Sequence, residues 1–582
     1  MKRKSWLLLT LLIALVLSGC DVTPEHTPRA SPDWSMGKIV GLASTSDQVA
    51  IQTDEEGNTY LAWVGLEKQI ELAKLDNQAH LVAHRPLDLS MATPKAPHLL
   101  LSLQGKFHLI WLESKGLYYA QLGADGEVLS EPTLLSLPER EADWARMVLN
   151  QGGGAEVFWS DDSFEGAGLY HLSVGPGGEV VSPSSLILPE GIDPSPQVDR
   201  EGLIHLAWFQ RPSYHQREVY YATFDPISRS LKGETKVADI SFRSGQIVEG
   251  PELGLDEENV YIFWGVESRA RGEMTSFSYY ASFPLGQPEY RGGVPVEIPR
   301  TESPEYQGFT YESISGQFTF NILAPFSAVG TDFVANPYTL SGQEAELVAV
   351  FSAGIFDRGT PDLQIALGVF SEGQPKGYQI INKTRTASVS PNLVADAVGN
   401  LHLTWLDTAG FGQLRVLYAS TSPQVKQVLN RLTLAIVIDR TLSVLMAILS
   451  IATFAPVIVA WLFFPTLWLI LFYFFTSESE LLTKRAWLAL GIAILLLLTS
   501  KLFIYPNLLS YFPFLTSLAP QLVAFLSRWL FPTILTGVGV AVMFGYLKRS
   551  RSRSLFMAYF IGALTDCLLS LAIYVPTLMG NI

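Results

Sequence analysis

The chain has 582 residues and a mass of 64.2 kDa, too long for one ordinary domain. Its 40 Lys+Arg against 55 Asp+Glu give a net charge of −15, and that charge is segregated: residues 1–19 carry +3, residues 20–424 carry −25 and residues 425–582 carry +7. A strongly negative middle section repels phosphate backbones, so no nucleic-acid partner is expected, and two cysteines exclude a disulfide scaffold.

Lys2, Arg3 and Lys4 precede an apolar stretch from Trp6 to Val16 that is too short to span a bilayer, the pattern of a secretory signal. It closes with Leu17-Ser18-Gly19-Cys20, which resembles the lipobox of bacterial lipoproteins. The resemblance implies a signal peptide over 1–19 and a mature N-terminus lipidated at Cys20. Residues 20–37, with Pro24, Pro28 and Pro32, then read as a lipidated tether. Asp21 after the cysteine resembles an inner-membrane retention signal.

From 38 to 424 short apolar and aromatic runs alternate with Gly, Pro, Asn and Asp, with no long helical stripe, so this section is expected to be all β. A unit recurs: Gly57 to Trp63, Gly105 to Trp111, Gly202 to Trp208 and Gly399 to Trp405 each join a glycine turn to an alternating strand ending in tryptophan, with weaker copies at Trp159 and Trp264. Successive tryptophans are 48, 48, 49, 56 and then 141 residues apart, so degenerate units are expected near Phe318–Ile322 and Leu347–Phe351. A second aromatic strand follows, as in Tyr118-Tyr119, Tyr220-Tyr221 and Tyr279-Tyr280, and a Pro then an Asp precede several turns, as in Pro194 to Asp199. Three or four strands in just under fifty residues predict a propeller blade, and about seven blades are expected, with six to eight allowed.

The pattern P-x4-D-x2-G-x-h-H-h-x-W followed by a YYA-type strand resembles the sialidase-like (BNR-type) β-propeller superfamily, whose members include glycosidases and many extracellular proteins without known activity. The superfamily's S-x-D-x-G-x-x-W box is absent from this chain. No family catalytic residue maps onto a matching motif, so none is assigned. His108, His205 and His402 occupy one position of the repeat, which points to a structural role rather than to ligands converging on a metal.

The segments after each tryptophan cross the face where propellers build binding sites. The longest and best charged are 159–171, 208–219 and 264–278, which supply Asp161, Asp162, Arg211, Tyr214, His215, Arg217, Glu267, Arg269 and Arg271 as a candidate ligand face. Asp161-Asp162 and Asp54-Glu55-Glu56 are acidic enough for Ca²⁺ but match no calcium motif, so no cofactor or metal is expected.

After Val425 the composition becomes that of a membrane domain, over residues 425–582, with apolar blocks Leu432–Phe475, Ala486–Tyr505, Leu508–Tyr546 and Leu555–Leu578. These allow four to six spans. The basic loop Lys548 to Arg553 is expected in the cytoplasm. A four-span scheme places Lys484-Arg485 on the same side; a six-span scheme does not. Asp439, Arg440 and Asp566 are the intramembrane polar residues, and Arg440 or Arg528 is the expected partner of Asp566.

The sequence therefore predicts an all-β propeller followed by an all-α transmembrane domain, in the bacterial cytoplasmic membrane with the propeller on the extracytoplasmic side. Its expected role is binding or scaffolding for a glycan, a cell-wall component or an envelope protein, with membrane lipid as a further partner. A membrane-tethered glycosidase and an accessory subunit of a membrane transport complex are the alternatives.

Overall fold

A computed structural model of the chain describes residues 26–89, 92–114, 116–163, 167–270, 273–299, 309–312, 319–326, 330–340, 346–357, 360–384, 386–410, 412–431, 454–504, 529–550 and 553–578. Cys20 and the signal segment, Glu165, Arg271, Asp439, Arg440 and Arg528 lie outside the described residues.

Seven antiparallel sheets are arranged in a ring. Their innermost strands are Ala50–Thr53, Lys95–Leu101, Trp144–Leu149, Gly191–Val198, Gln246–Leu255, Val334–Thr339 and Ser388–Ala395, in blades 1 to 7. Each neighbours the next, and the seventh neighbours the first. The second strands are buried on both faces, as Thr59–Val64 is throughout, because each blade is sandwiched between two others.

The repeat residues explain themselves in register. Trp111, Trp159, Trp208 and Trp264 pair across strands with Tyr118, Tyr170, Tyr220 and Tyr279, and each indole stacks on its tyrosine at 4.1 to 6.2 Å between ring centres. The next tyrosine serves a different bond. Tyr221 lies 2.6 Å from His205 Nδ1, whose Nε2 lies 3.0 Å from Asp199; Tyr418, His402 and Asp396 repeat the relay at 2.7 and 3.2 Å. The same aspartates accept backbone N–H groups from their turns, which Gly202 and Gly399 close at positive φ. In blades 1 and 5 a tyrosine replaces the histidine, with Tyr60 donating to Asp54 and Tyr261 to Asp256. Blade 3 inverts the set: Asn150 takes the turn position, Glu156 the histidine's, and His171 lies 2.8 Å from Glu156. Each recurring histidine is thus bonded to the tyrosine of its own blade, and two also reach the next blade, His108 to Gly153 O at 3.4 Å and His402 to Thr59 Oγ1 at 3.3 Å.

The 141-residue gap hides one blade. Phe351 on Leu347–Asp357 stands where the others have tryptophan, so the expected unit there is blade 6. The expected unit near Phe318–Ile322 is instead half of a separate hairpin, Phe309–Glu312 with Thr319–Leu323, inserted between blades 5 and 6.

The N-terminal strand Gly37–Ala43 pairs with Gln413–Ser420 and becomes the fourth strand of blade 7, with His26–Thr27 as a fifth. Residues 26–36 are accordingly not a free tether. Trp34 is fully buried, Ala30 N–H donates to Ile381 and Ser35 N–H to Ser420. After blade 7 a short helix α1, Pro423–Leu429, buries Val425 and Leu429 between blades 7 and 1, and Asn430 accepts from Met36 N–H at 2.7 Å. The packed propeller unit runs from 26 to 431, wider at both ends than the expected 38–424.

Among the described residues, four further helices are long and apolar enough to cross a membrane: α2, Ala455–Thr476; α3, Lys484–Phe503; α4, Phe531–Arg549; and α5, Leu555–Leu578. The α2–α3 and α4–α5 loops meet at one end, where Leu481 N–H donates to Arg553 and Leu555 N–H to Ser479. Lys484-Arg485 and the 548–553 loop therefore share a side, as the four-span scheme requires. Gly539 and Gly562 let α4 and α5 approach closely, since a Cβ on Gly539 meets Gly562 O at 2.6 Å.

Ring closure rests on a backbone contact as well as on pairing. A Cβ on Gly41 meets the Trp63 ring at 2.4 Å, and Trp63 Nε1 donates to Leu42 O at 3.0 Å. Gly41→Ala is expected to lower propeller stability by roughly 1–3 kcal/mol through overpacking, measured by denaturant unfolding of the full chain followed by tryptophan fluorescence.

Candidate functional site

Antiparallel order puts the turns after the first and third strands on one face of the ring, here the turn face, and the hairpins between second and third strands on the other, the rim face. The rim is lopsided. The second and third strands are 10 and 10 residues long in blade 4, 12 and 12 in blade 5 and 11 and 12 in blade 6, against 6 and 6 in blade 1 and 7 and 7 in blades 2 and 3. The extra length follows the tryptophan position, and blade 7, at 10 and 8 residues, shares it, so blades 4 to 7 stand taller on the rim face than blades 1 to 3.

The taller side carries most of the expected ligand face. On blade 4, Tyr214 is 78% exposed and its ring meets His215 edge-on at 5.4 Å. His215 in turn meets Phe242 at 6.1 Å, and the Arg217 guanidinium lies over the Phe242 ring at 5.5 Å. These four side chains form one aromatic and cationic shelf. Beside it Arg211 pairs with Asp162 of blade 3. On blade 5, Arg269 Nε donates to Glu267 at 2.6 Å. Burial holds Arg211 and Arg217 below the usual arginine range.

Asp161 departs from expectation. It is only 1% exposed, lies 3.8 Å from Arg140, and accepts from Ser163 N–H. It stands two residues after Trp159, the place of Asp407 and Glu113 in their blades, where the acid accepts from the indole N–H of Trp405 and Trp111. Residues two apart share a strand face, so this acid follows its tryptophan into the blade interface. The candidate calcium loops are likewise committed: Asp54 accepts from Glu56, Asn58 and Tyr60. Among the described residues no three His, Cys, Asp or Glu side chains converge to hold a metal ion.

Beside the shelf lies a second set that sequence reasoning missed. The inner strands of blades 2, 4, 5, 6 and 7 are bulged at Ala96, Asp193, Gly250, Asn336 and Ser390, each at positive φ and each followed by proline. Two residues past each bulged position, or in blade 3's equivalent register, stand His98, Arg146, Ser195, Glu252, Tyr338 and Asn392. Several reach the next blade: Ser195 Oγ accepts from Leu253 N–H, and Asn392 donates to Val49 O. Burial pushes Asp193 and Glu252 up to about 7, although Arg217 and Arg146 lower the first and Arg146 the second. Burial and the neighbouring Glu267 also raise Glu249, while His98, desolvated near Arg146, is held down at about 3. The legible signal was the repeated proline: Asp193 and Glu252 flank Pro194 and Pro251, and a charge beside a bulge-forming proline is placed near the ring axis.

The membrane helices hold one polar centre. Lys501 Nζ of α3 donates to Asp566 Oδ1 of α5 at 2.7 Å and to Ser570 Oγ at 2.7 Å, and Thr536 of α4 donates to Asp566 Oδ2 at 3.1 Å. Lys501 and Asp566 are both fully buried. Among the described residues the partner of Asp566 is Lys501; the expected partners Arg440 and Arg528 lie outside them. Lys501 lies near the end of an apolar block, where a lysine normally reaches the head groups, so nothing local in the sequence marks it as a buried partner. Cys567 is buried in the same helix core.

Two expectations follow. A carboxyl raised in the fold favours the folded state only while protonated, so its contribution falls from pH about 4 to about 7 and is constant above. Asp193→Asn should therefore raise stability at pH 8 by on the order of 1 kcal/mol, discounted for the solvent contact this carboxyl keeps, and flatten the loss between pH 5 and 8 in thermal unfolding. In the bundle, Lys501→Met or Asp566→Leu alone should cost roughly 3–5 kcal/mol by leaving a buried charge, and the double variant should recover much of it, read from unfolding of the full chain in micelles.

No protein-family model and no curated protein matches the chain. Among solved structures, an ulvan lyase of polysaccharide lyase family PL25, bound to -[GlcA(1-4)Rha3S]-, is 9% identical over 64% of this chain and 95% of its own, with a TM-score of 0.42. The polysaccharide lyase Uly1 is 10% identical over 68% and 98%, with a TM-score of 0.41. An endo-arabinase from Bacteroides thetaiotaomicron is 12% identical over 57% and 95%, with a TM-score of 0.30. At these identities and scores the likenesses assign neither substrate nor reaction.

Proposed function

We propose that the chain is a membrane-held recognition module whose rim face binds a glycan of the cell envelope. The observation that carries this reading is the blade 4 shelf, where the exposed Tyr214 ring, His215, Phe242 and the stacked Arg217 stand together on the rim face. Exposed aromatic faces suit the C–H face of a pyranose, and arginines at the edge donate to hydroxyl or acidic substituents. The taller hairpins of blades 4 to 7 favour an extended ligand laid across the low side of blades 1 to 3.

Within this reading the propeller is of the sialidase-like type, Cys20 carries a lipid anchor, and the propeller faces the extracytoplasmic side of the cytoplasmic membrane. The basic loops gathered at the bundle end away from the start of α2 support that placement. A glycosidase is the alternative. For it the raised carboxyls Asp193 and Glu252 are better acid candidates than the deeply paired Asp161.

The test is a glycan array together with a glycan-cleavage screen on the full-length protein in micelles. Binding without cleavage is expected, weakened about tenfold by Tyr214→Ala or by Arg217→Ala, the loss of one stacked ring or one charged hydrogen-bonding group. Absence of binding to every glycan overturns the reading, and cleavage replaces it with the enzymatic one.

A further inference from the structure

The propeller meets its membrane at one corner, and the observations that fix this corner do not involve the ligand. Helix α1 follows the third strand of blade 7 and therefore lies on the turn face, where Val425 and Leu429 pack between blades 7 and 1 beside Ala79 of a blade 1 turn. Its end is pinned by the bond from Met36 N–H to Asn430, and Arg431 is exposed. One residue later, at Leu432, begins an apolar block that runs to Phe475 with only Asp439 and Arg440 as charges. Chain of that composition belongs in lipid, so lipid begins close to where the propeller ends. The N-terminal strap leaves from the same blade, because His26 pairs with Lys38 on the edge of blade 7, six residues from Cys20.

We infer that the turn face at blade 7, formed by α1 and the turn tip Val398, rests on the bilayer surface, and that the rim face of blades 3 to 5 is held away from it. The surface chemistry agrees. Val398 is 81% exposed at the tip of the blade 7 turn, and Lys426 and Arg431 put two cations at the exit point of a section whose net charge is −25. Anionic head groups attract such a pair, and an apolar tip enters the interface. The other acidic turns of this face, Glu55-Glu56 on blade 1, Glu201 on blade 4 and Glu257-Glu258 on blade 5, are repelled by the same head groups, so contact is confined to the blade 7 corner and the ring is tilted. In a ring of seven, blades 3 and 4 lie opposite blade 7. The shelf at Tyr214 is thus remote from lipid both by face and by position in the ring.

The experiment uses the full chain in vesicles of phosphatidylcholine and phosphatidylglycerol, some with a nitroxide on the lipid head group. Single fluorophores are placed through Val398→Cys, Lys426→Cys and Tyr214→Cys, with Cys567→Ala as background. The expected result is loss of fluorescence in nitroxide vesicles at 398 and 426 and none at 214. Quenching at 214, or no quenching at both 398 and 426, overturns the inference. Because all three sites are solvent-reachable and no ligand is added, the outcome is separate from that of the glycan test.

Discussion

Closure of the ring is the constraint on which the rest of this structure depends. An open stack of seven sheets ends in two unpaired faces and a free strand edge, which is costly in water and prone to wrong pairing. Here the edge is removed by pairing Gly37–Ala43 with Gln413–Ser420, so the first strand of the propeller completes its last blade. Gly41 leaves room for Trp63, the first of the repeated indoles, to pack against that strand. Sequence-distant ends are thereby brought into one sheet, and the chain enters and leaves the propeller at the same blade.

Closure also fixes the axis, and the axis decides what the charged residues do. The bulge and proline on the inner strands of blades 2, 4, 5, 6 and 7 bend the backbone where the blades converge, and Ser195 and Asn392, two positions on, reach the neighbouring blade. Asp193, Glu252 and Arg146 are forced into one desolvated neighbourhood, which accounts for carboxyls raised to about 7 with guanidinium groups close by. The tall hairpin of blade 4 places the Tyr214 shelf beside that neighbourhood, with Arg217 close to Asp193. A charged neighbourhood and an aromatic shelf are consequences of one ring with unequal strands.

The bundle solves a parallel problem in lipid, where polar side chains have no water to turn to. Lys501, Asp566, Ser570 and Thr536, contributed by three helices, satisfy one another. Their arrangement ties α3 to α4 and α5, beside the close glycine crossing of Gly539 and Gly562.

Much of this was legible in the sequence, because local periodicity reports what a strand or a membrane helix requires of its own residues. The tryptophan spacing, the paired tyrosines and the Pro-to-Asp interval gave blades and turns, the apolar blocks gave a helical membrane domain of four to six spans, and Tyr214, His215 and Arg217 lay in a segment whose composition marked it as an exposed loop. What the sequence left open depended on contacts between distant segments. The unit at Leu347–Phe351 was expected from the tryptophan spacing, but only strand pairing separates it from the hairpin near Phe318–Ile322; Trp34 and its neighbours looked like linker because their burial comes from blade 7, and Lys501 carries no local mark of its pairing, which α5 supplies through Asp566. Asp161 and Asp193 show the division most clearly. Both are acids beside a repeat residue, but strand alternation turns the first into the interface and bulge geometry sets the second near the axis. Composition and period act along the chain and are set by it; burial, pairing and charge coupling act across it and are decided only when the ring closes.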